Sequence, residues 1–335
     1  MDAVKVGQAI AFLRKRSGYT QKELADRIGI SDKAVSKWER GQGLPEITYL
    51  RKLSILLDTD TDSLLAGNVA HHNNDWQGII ILKQNPFRIK ADTMIYDKPL
   101  INYLLSYFLL VGIKMIHIVC SSYDKDYIEK EFDTGTEFGI HIKCHHEIRS
   151  ITPEDGTSYM ILYGRCILYG VDQTRFFLKA MVERKRLTIM ALPQKTKPLI
   201  VGLDMKVLDS NKPEALRTQY DYSGIPFLFV PADLLAELIN SAEIRDFINQ
   251  HDAFVEMLDR GFVEIEAEDW DSVQDASVFM RIVQKKCGMN VYCLEEVAWR
   301  RGFISLEQLK RLGEKKADTE YGIYILSLYE RMREK

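Results

Sequence analysis

The first sixty residues carry apolar side chains at helical spacing. Val6, Ile10 and Leu13 recur at i, i+4 and i+7, which is one face of a helix. Thr20 and Glu23 form a T-x-x-E capping box and predict a second helix through Leu24, Ala25 and Ile28. Gly29 then supplies the left-handed residue that a tight helix-to-helix turn needs. Ser31 is placed to cap a third helix whose Ala34, Val35 and Trp38 face inward. Gly18 closes the first helix, and Gly41 and Gly43 close the third. Pro45 leads into a fourth helix with Ile47, Leu50, Leu53 and Leu57, and Leu64 and Leu65 mark a short fifth. From residue 77 the pattern changes. Short apolar runs predict strands at 78–82, 115–120, 140–144, 160–163, 187–192, 226–230 and 261–266. Amphipathic helices are predicted between them at 99–111, 123–132, 173–183 and 232–239, and the chain from Trp270 reads as mostly helical. Fully apolar strands separated by helices indicate βαβ units and a sheet covered on both faces.

A polar string without periodicity, GNVAHHNND, joins the two blocks. The expected organisation is therefore an all-α five-helix domain at 1–67, a linker at 68–76, and an α/β Rossmann-like domain with a mostly parallel sheet at 77–335. A length of 335 residues suits two domains. Charge separates them as well. Residues 1–57 carry net +5 within a chain of net −3, so the head is basic and the body acidic. A basic head points to a polyanionic partner.

The apolar stretch 100–113 is too short, and too interrupted by Asn102, Ser106 and Gly112, to span a bilayer. The N-terminus is charged from Lys5 onward, so no secretory signal is expected. Five cysteines without a CxxC pair read as reduced thiols of a cytoplasmic protein. His71-His72 and Cys144-His145-His146 have no second cluster at ligand spacing, so neither a metal site nor a cofactor is expected. No Ser/His/Asp set or carboxylate pair stands out as catalytic.

The string YTQKELADRIGISDKAVSKWERGQGLP resembles the phage-repressor (Cro-like, XRE) helix-turn-helix family, over nearly all of residues 5–66. That resemblance implies double-stranded DNA as partner, with the third helix in the major groove. By matching position, Asp32, Lys33, Ser36 and Lys37 face bases, with Ser31 at the start of that helix. Gln21 grips a phosphate, and Arg40 and Arg14 are weaker phosphate candidates. Lysine donates to guanine O6 and N7, which favours a G beneath Lys33 or Lys37. One such head reads few base pairs, so a homodimer or larger assembly on paired half-sites is expected.

The body resembles the sugar-phosphate nucleotidyltransferases, above all the glucose-1-phosphate thymidylyltransferases. The resemblance is carried by YDKPLINYLLSYFLLVGIKMIHIV (96–119), Phe138-Gly139-Ile140, Leu168-Tyr169-Gly170, Arg260-Gly261-Phe262, VYCLEEVAWRRGFISLEQL (291–309) and Tyr321-Gly322. It implies a nucleotidyltransferase-type fold over about 77–330, and an oligomer whose C-terminal helical segment takes part in subunit contacts. The implied chemistry is not matched. The family cradles a triphosphate on a GGxGTRLxP loop, whereas here the first strand runs into Lys83-Gln84-Asn85-Pro86-Phe87-Arg88-Ile89-Lys90, and no glycine occurs between Gly78 and Gly112. An amide-lined phosphate cradle needs such glycines. The family's metal-binding Asp, at the end of a later strand, is replaced by Arg165. Its second metal carboxylate falls on Glu266, its signature lysine on Lys90, its sugar-phosphate lysine on Lys212, and its glycine beside the sugar on Gly224.

A transcription regulator is therefore expected, with a catalytically inactive body. Arg88, Lys90, Arg165, Lys212, Gly224 and Glu266 would line a cleft for a sugar phosphate or nucleotide-sugar effector. The rival expectations are an active nucleotidyltransferase with a DNA-binding head, and a DNA-binding oligomer that takes no ligand.

Overall fold

The computed structural model describes residues 2–17, 19–57, 59, 61–67, 75–82, 84–181, 186–192, 198–199, 222–241, 244–251, 253–258 and 261–333. The chain divides into two compact units, Met1–His71 and His72–Lys335.

The first unit holds five helices: α1 (Ala3–Arg16), α2 (Gln21–Ile28), α3 (Asp32–Glu39), α4 (Ile47–Leu56) and α5 (Thr61–Ala66). Their starts follow the capping logic. Asp2 accepts from the amides of Val4 and Lys5, Thr20 and Glu23 complete the capping box of α2, and Ser31 accepts from the Ala34 amide. Gly29 ends α2 at φ 81°, so α3 can leave at a steep angle. Val6, Ile10, Leu13, Leu24, Ala25, Ile28, Val35, Leu53, Leu57 and Leu64 form one core closed by Trp38 and Leu50. Ser17 caps α1, and Gly18 lies outside the described residues.

The second unit contains β1 (Trp76–Ile81), β2 (Met94–Ile95), β3 (Lys98–Pro99), α6 (Leu100–Leu110), β4 (Met115–Val119), α7 (Ser122–Phe132), β5 (His141–His145), β6 (Ser158–Tyr163), β7 (Cys166–Tyr169), α8 (Gln173–Lys179), β8 (Thr188–Leu192), β9 (Pro198–Leu199), β10 (Tyr222–Val230), α9 (Leu235–Asn240), α10 (Ile244–Gln250), β11 (Phe254–Met257), β12 (Val263–Glu266), α11 (Trp270–Cys287), α12 (Leu294–Arg300), α13 (Leu306–Glu314) and α14 (Glu320–Arg333). The main sheet runs β11-β8-β10-β6-β1-β4-β5, with β9 on β10. β1 is parallel to β4 and β6, β5 to β4, and β11 to β8, while β10 runs antiparallel to β6 and β8.

Alternation along the strands gives each face its own core. Ile80, Met160, Leu162, Phe227 and Phe229 join the larger cluster under α6, α11 and α12. Ile79, Ile81, Tyr159 and Ile161 join the smaller one with Leu235, Leu238 and Phe247. Two-sided burial explains why these strands read as unbroken apolar runs. Outside the sheet, β7 and β12 form an antiparallel pair that places the residue after β12 beside the residue before β7. Among the described residues no helix is long and apolar enough to cross a membrane.

Candidate nucleic-acid face and anion-binding cleft

The amphipathic pattern of α3 leaves one polar side in solvent. Asp32, Lys33 and Lys37 are exposed and Ser36 is half-buried, while Val35 and Trp38 are buried on the opposite side. The four expected base readers thus lie on one short helix face. Ser31 Oγ accepts from the Ala34 amide at 3.3 Å, so this side chain is engaged in capping. Exposed Arg40 folds back, its Nε donating to the Ser36 carbonyl at 3.2 Å.

Gln21 and Arg14 both have partners inside the head. Gln21 stands at the start of α2, where free amides attract a phosphate. Its Nε2 donates to Glu39 Oε2 at 2.8 Å. Arg14 is not a phosphate contact. It is buried, donates from Nε and Nη2 to the two Glu39 oxygens at 2.5 and 3.0 Å, and from Nη1 to the Tyr19 carbonyl at 2.7 Å. A guanidinium with this bidentate partner is a tie between helices. Glu39 of α3 thereby holds α1 and α2.

In the second unit, the chain after β1 turns on Asn85. Its Oδ1 accepts from the Phe87 amide at 2.8 Å, and Arg88 takes a left-handed φ of 57°. Arg88 is exposed. Lys90 is half-buried, with its Nζ 3.2 Å from the centre of the Tyr123 ring. The Tyr123 hydroxyl donates to Asp92 Oδ2 at 2.7 Å. Lys90 is therefore held against α7 by a cation–π contact.

Arg165 is 3% exposed and lies between β6 and β7. Its Nη1 donates to Glu268 Oε2 at 3.3 Å, and its own amide donates to Glu268 Oε1 at 3.2 Å. Asn85 Nδ2 donates to the same Oε2 at 2.6 Å. One carboxylate thus receives a guanidinium, a main-chain amide and a side-chain amide from two separate segments. Gly164 makes this approach possible at φ 95°. A Cβ there would stand 3.2 Å from Glu268 Oε1. Glu266 pairs in register with Cys166, and the Ala267 amide donates to the Arg165 carbonyl at 2.8 Å, so Glu266 and Arg165 do share one strand end. Gly224 lies on β10 opposite Ala191, at a register shift, and Lys212 lies outside the described residues.

The donors here do not fit Mg²⁺, which demands an octahedron of oxygens; a buried guanidinium occupies the strand end instead. Among the described residues no group of three or more His, Cys, Asp or Glu is placed to hold a metal ion. Sequence reasoning found Arg165 and Glu266 but missed Asn85 and Glu268. The acidic run Glu264, Glu266, Glu268 and Asp269 is visible in the sequence. The partner of Glu268, 103 positions away, is not.

Fold and site together describe a helix-turn-helix unit followed by a nucleotidyltransferase-type α/β unit. Residues 10–64 match the Helix-turn-helix family model. The C-terminal region is distantly homologous to glucose-1-phosphate thymidylyltransferases. That of Neisseria meningitidis is 26% identical over 263 residues, covering 70% of this chain and 90% of the relative. That of Mycobacterium tuberculosis is 25% identical over 287 residues, covering 76% and 99%. A solved Bacillus anthracis structure, of a protein assigned as a glucose-1-phosphate thymidylyltransferase and holding sucrose, aligns with TM-score 0.50 at 12% identity. It covers 62% of this chain and 95% of that one, and it supports the fold.

Proposed function

We propose that this chain is a sequence-specific, DNA-binding transcription regulator. Its nucleotidyltransferase-like unit assembles the chain as a dimer or larger oligomer and takes a sugar phosphate or nucleotide sugar as effector, without nucleotidyl transfer. The observation that carries the reading is Arg165. A buried guanidinium stands where the resembled enzymes place a metal carboxylate, and it suits an anion rather than a cation. The glycine-free segment from residue 84 to 90 supports the same view, because it cannot present the row of bare amides that a triphosphate needs. The exposed α3 face supplies the DNA-reading half.

In this account the effector acts by favouring one arrangement of paired heads over another. The test is selection of binding sites from random duplexes, then titration of the selected duplex by fluorescence anisotropy with and without glucose 1-phosphate or a nucleotide-sugar. Enrichment of a two-fold-related site, with an affinity that either compound changes at least fivefold, supports the reading. No enriched site overturns it.

A second reading, a DNA-binding oligomer without ligand, is favoured by one observation: Glu268 already occupies Arg165. Under that reading the site is enriched but no compound moves the affinity.

A further inference from the structure

The geometry points to Glu268 as an internal anion seated in a preformed phosphate site: we propose that the phosphate group of the effector displaces its carboxylate from Arg165 and Asn85, and so releases the segment after β1 from the bend after β12. This inference rests on the proposed effector-binding role of the same cleft.

Three features support it. The donors are arranged as for an oxyanion: a guanidinium N–H, the Arg165 amide and the Asn85 amide converge on two oxygens of one group. The two charged partners differ in mobility. The Arg165 side chain is 3% exposed and fixed in the protein, whereas that of Glu268 is 41% exposed and can turn into water at little cost. Replacing one anion by another keeps the compensation that a buried cation demands. Finally, Glu268 belongs to a bend and to no helix or strand. Its amide bonds to the Glu266 carbonyl at 2.9 Å, and the capping box of α11 begins only at Asp269. Its side chain can therefore leave without breaking an element.

Displacement has a mechanical consequence. Asn85 Nδ2 also donates to the main-chain carbonyl of Glu268 at 2.6 Å, so the contact ties the segment after β1 to the bend by two bonds. Loss of the carboxylate removes one of them together with the charge. A carboxylate and a phosphate use the same donors. The ligand could thus be free phosphate or a phosphorylated sugar, and the assay separates them.

The experiment is isothermal titration of the full chain, and of its Glu268→Ala and Glu268→Gln variants, with inorganic phosphate, glucose 1-phosphate and glucose. Thermal unfolding serves as the folding check. Glu268→Ala should bind glucose 1-phosphate at least tenfold more tightly than the parent, Glu268→Gln by a smaller factor, and glucose should bind neither variant. Adding Arg165→Met to Glu268→Ala should remove the gain. Equal gains for inorganic phosphate and glucose 1-phosphate assign the site to phosphate alone and still support the displacement. Equal glucose 1-phosphate affinity in parent and variants overturns the displacement but leaves the effector reading standing. No binding to parent or variants overturns both.

Discussion

Arg14 and Lys33 carry the same charge in the same small domain and should give opposite readouts. Arg14 is buried against Glu39, so Arg14→Ala leaves that carboxylate stranded and should cost about 3 kcal/mol of stability. Urea unfolding of the head's circular dichroism measures it. Lys33 is exposed, so Lys33→Ala should leave stability within about 0.5 kcal/mol. It should instead relax preference at one base position by about 1–3 kcal/mol, read by competition with single-base variants of the selected site. Gln21→Ala should weaken all duplexes alike. Nothing in the local string around Arg14 separates it from Arg40. The difference is a carboxylate 25 positions away, and burial of a charged side chain is legible only once its partner is known. Asn85 and Glu268 escaped for the same reason.

At the scale of elements, β1, β4 and β5 share a polar chain within an apolar face. Glu154 Oε2 accepts from Gln77 Nε2 at 2.6 Å, which turns the Gln77 carbonyl toward His117 Nε2 at 2.9 Å. The Nε2 of neutral His117 then donates to that carbonyl, and its Nδ1 accepts from His145 Nε2 at 2.9 Å. Burial, with His145 and Lys143 nearby, pushes His117 from 6.5 down to about 4. The unfolded chain therefore takes up a proton that the folded one refuses between these values, and stability falls as pH drops from 6.5 to 4. The loss at pH 5 should be about 2 kcal/mol relative to pH 7. Urea midpoints at the two pH values check it, and His117→Gln should flatten the difference.

The long elements were legible. Capping boxes and apolar spacing place α2, α3, α6 and β4 within a residue or two. The β2–β3 pair and β7 were not, because strands of two to four residues carry too little periodicity; β12 falls within the strand predicted at 261–266, but its pairing with β7 could not be read. Strand β10 read correctly as a strand, but its antiparallel direction comes from its connections and not from its residues.

For the whole molecule, the uneven charge governs behaviour. The basic head should bind DNA with a steep salt dependence even though the chain is net negative. A dimer should protect two half-sites about one helical turn apart, which hydroxyl-radical footprinting resolves. A single short protected patch would contradict paired heads. At this scale the sequence showed a glycine-free segment after β1 and an Arg where the resembled family has an Asp, since both are local facts. It did not show that the chain supplies its own anion in compensation.

In the proposed function, anion binding replaces metal-assisted transfer in this nucleotidyltransferase-type unit. Pyrophosphate release from thymidine triphosphate and glucose 1-phosphate, across a range of Mg²⁺ concentrations, tests it most directly. No release above the protein-free control is expected. Turnover in the range of about 1–1000 s⁻¹ usual for enzymes would contradict it.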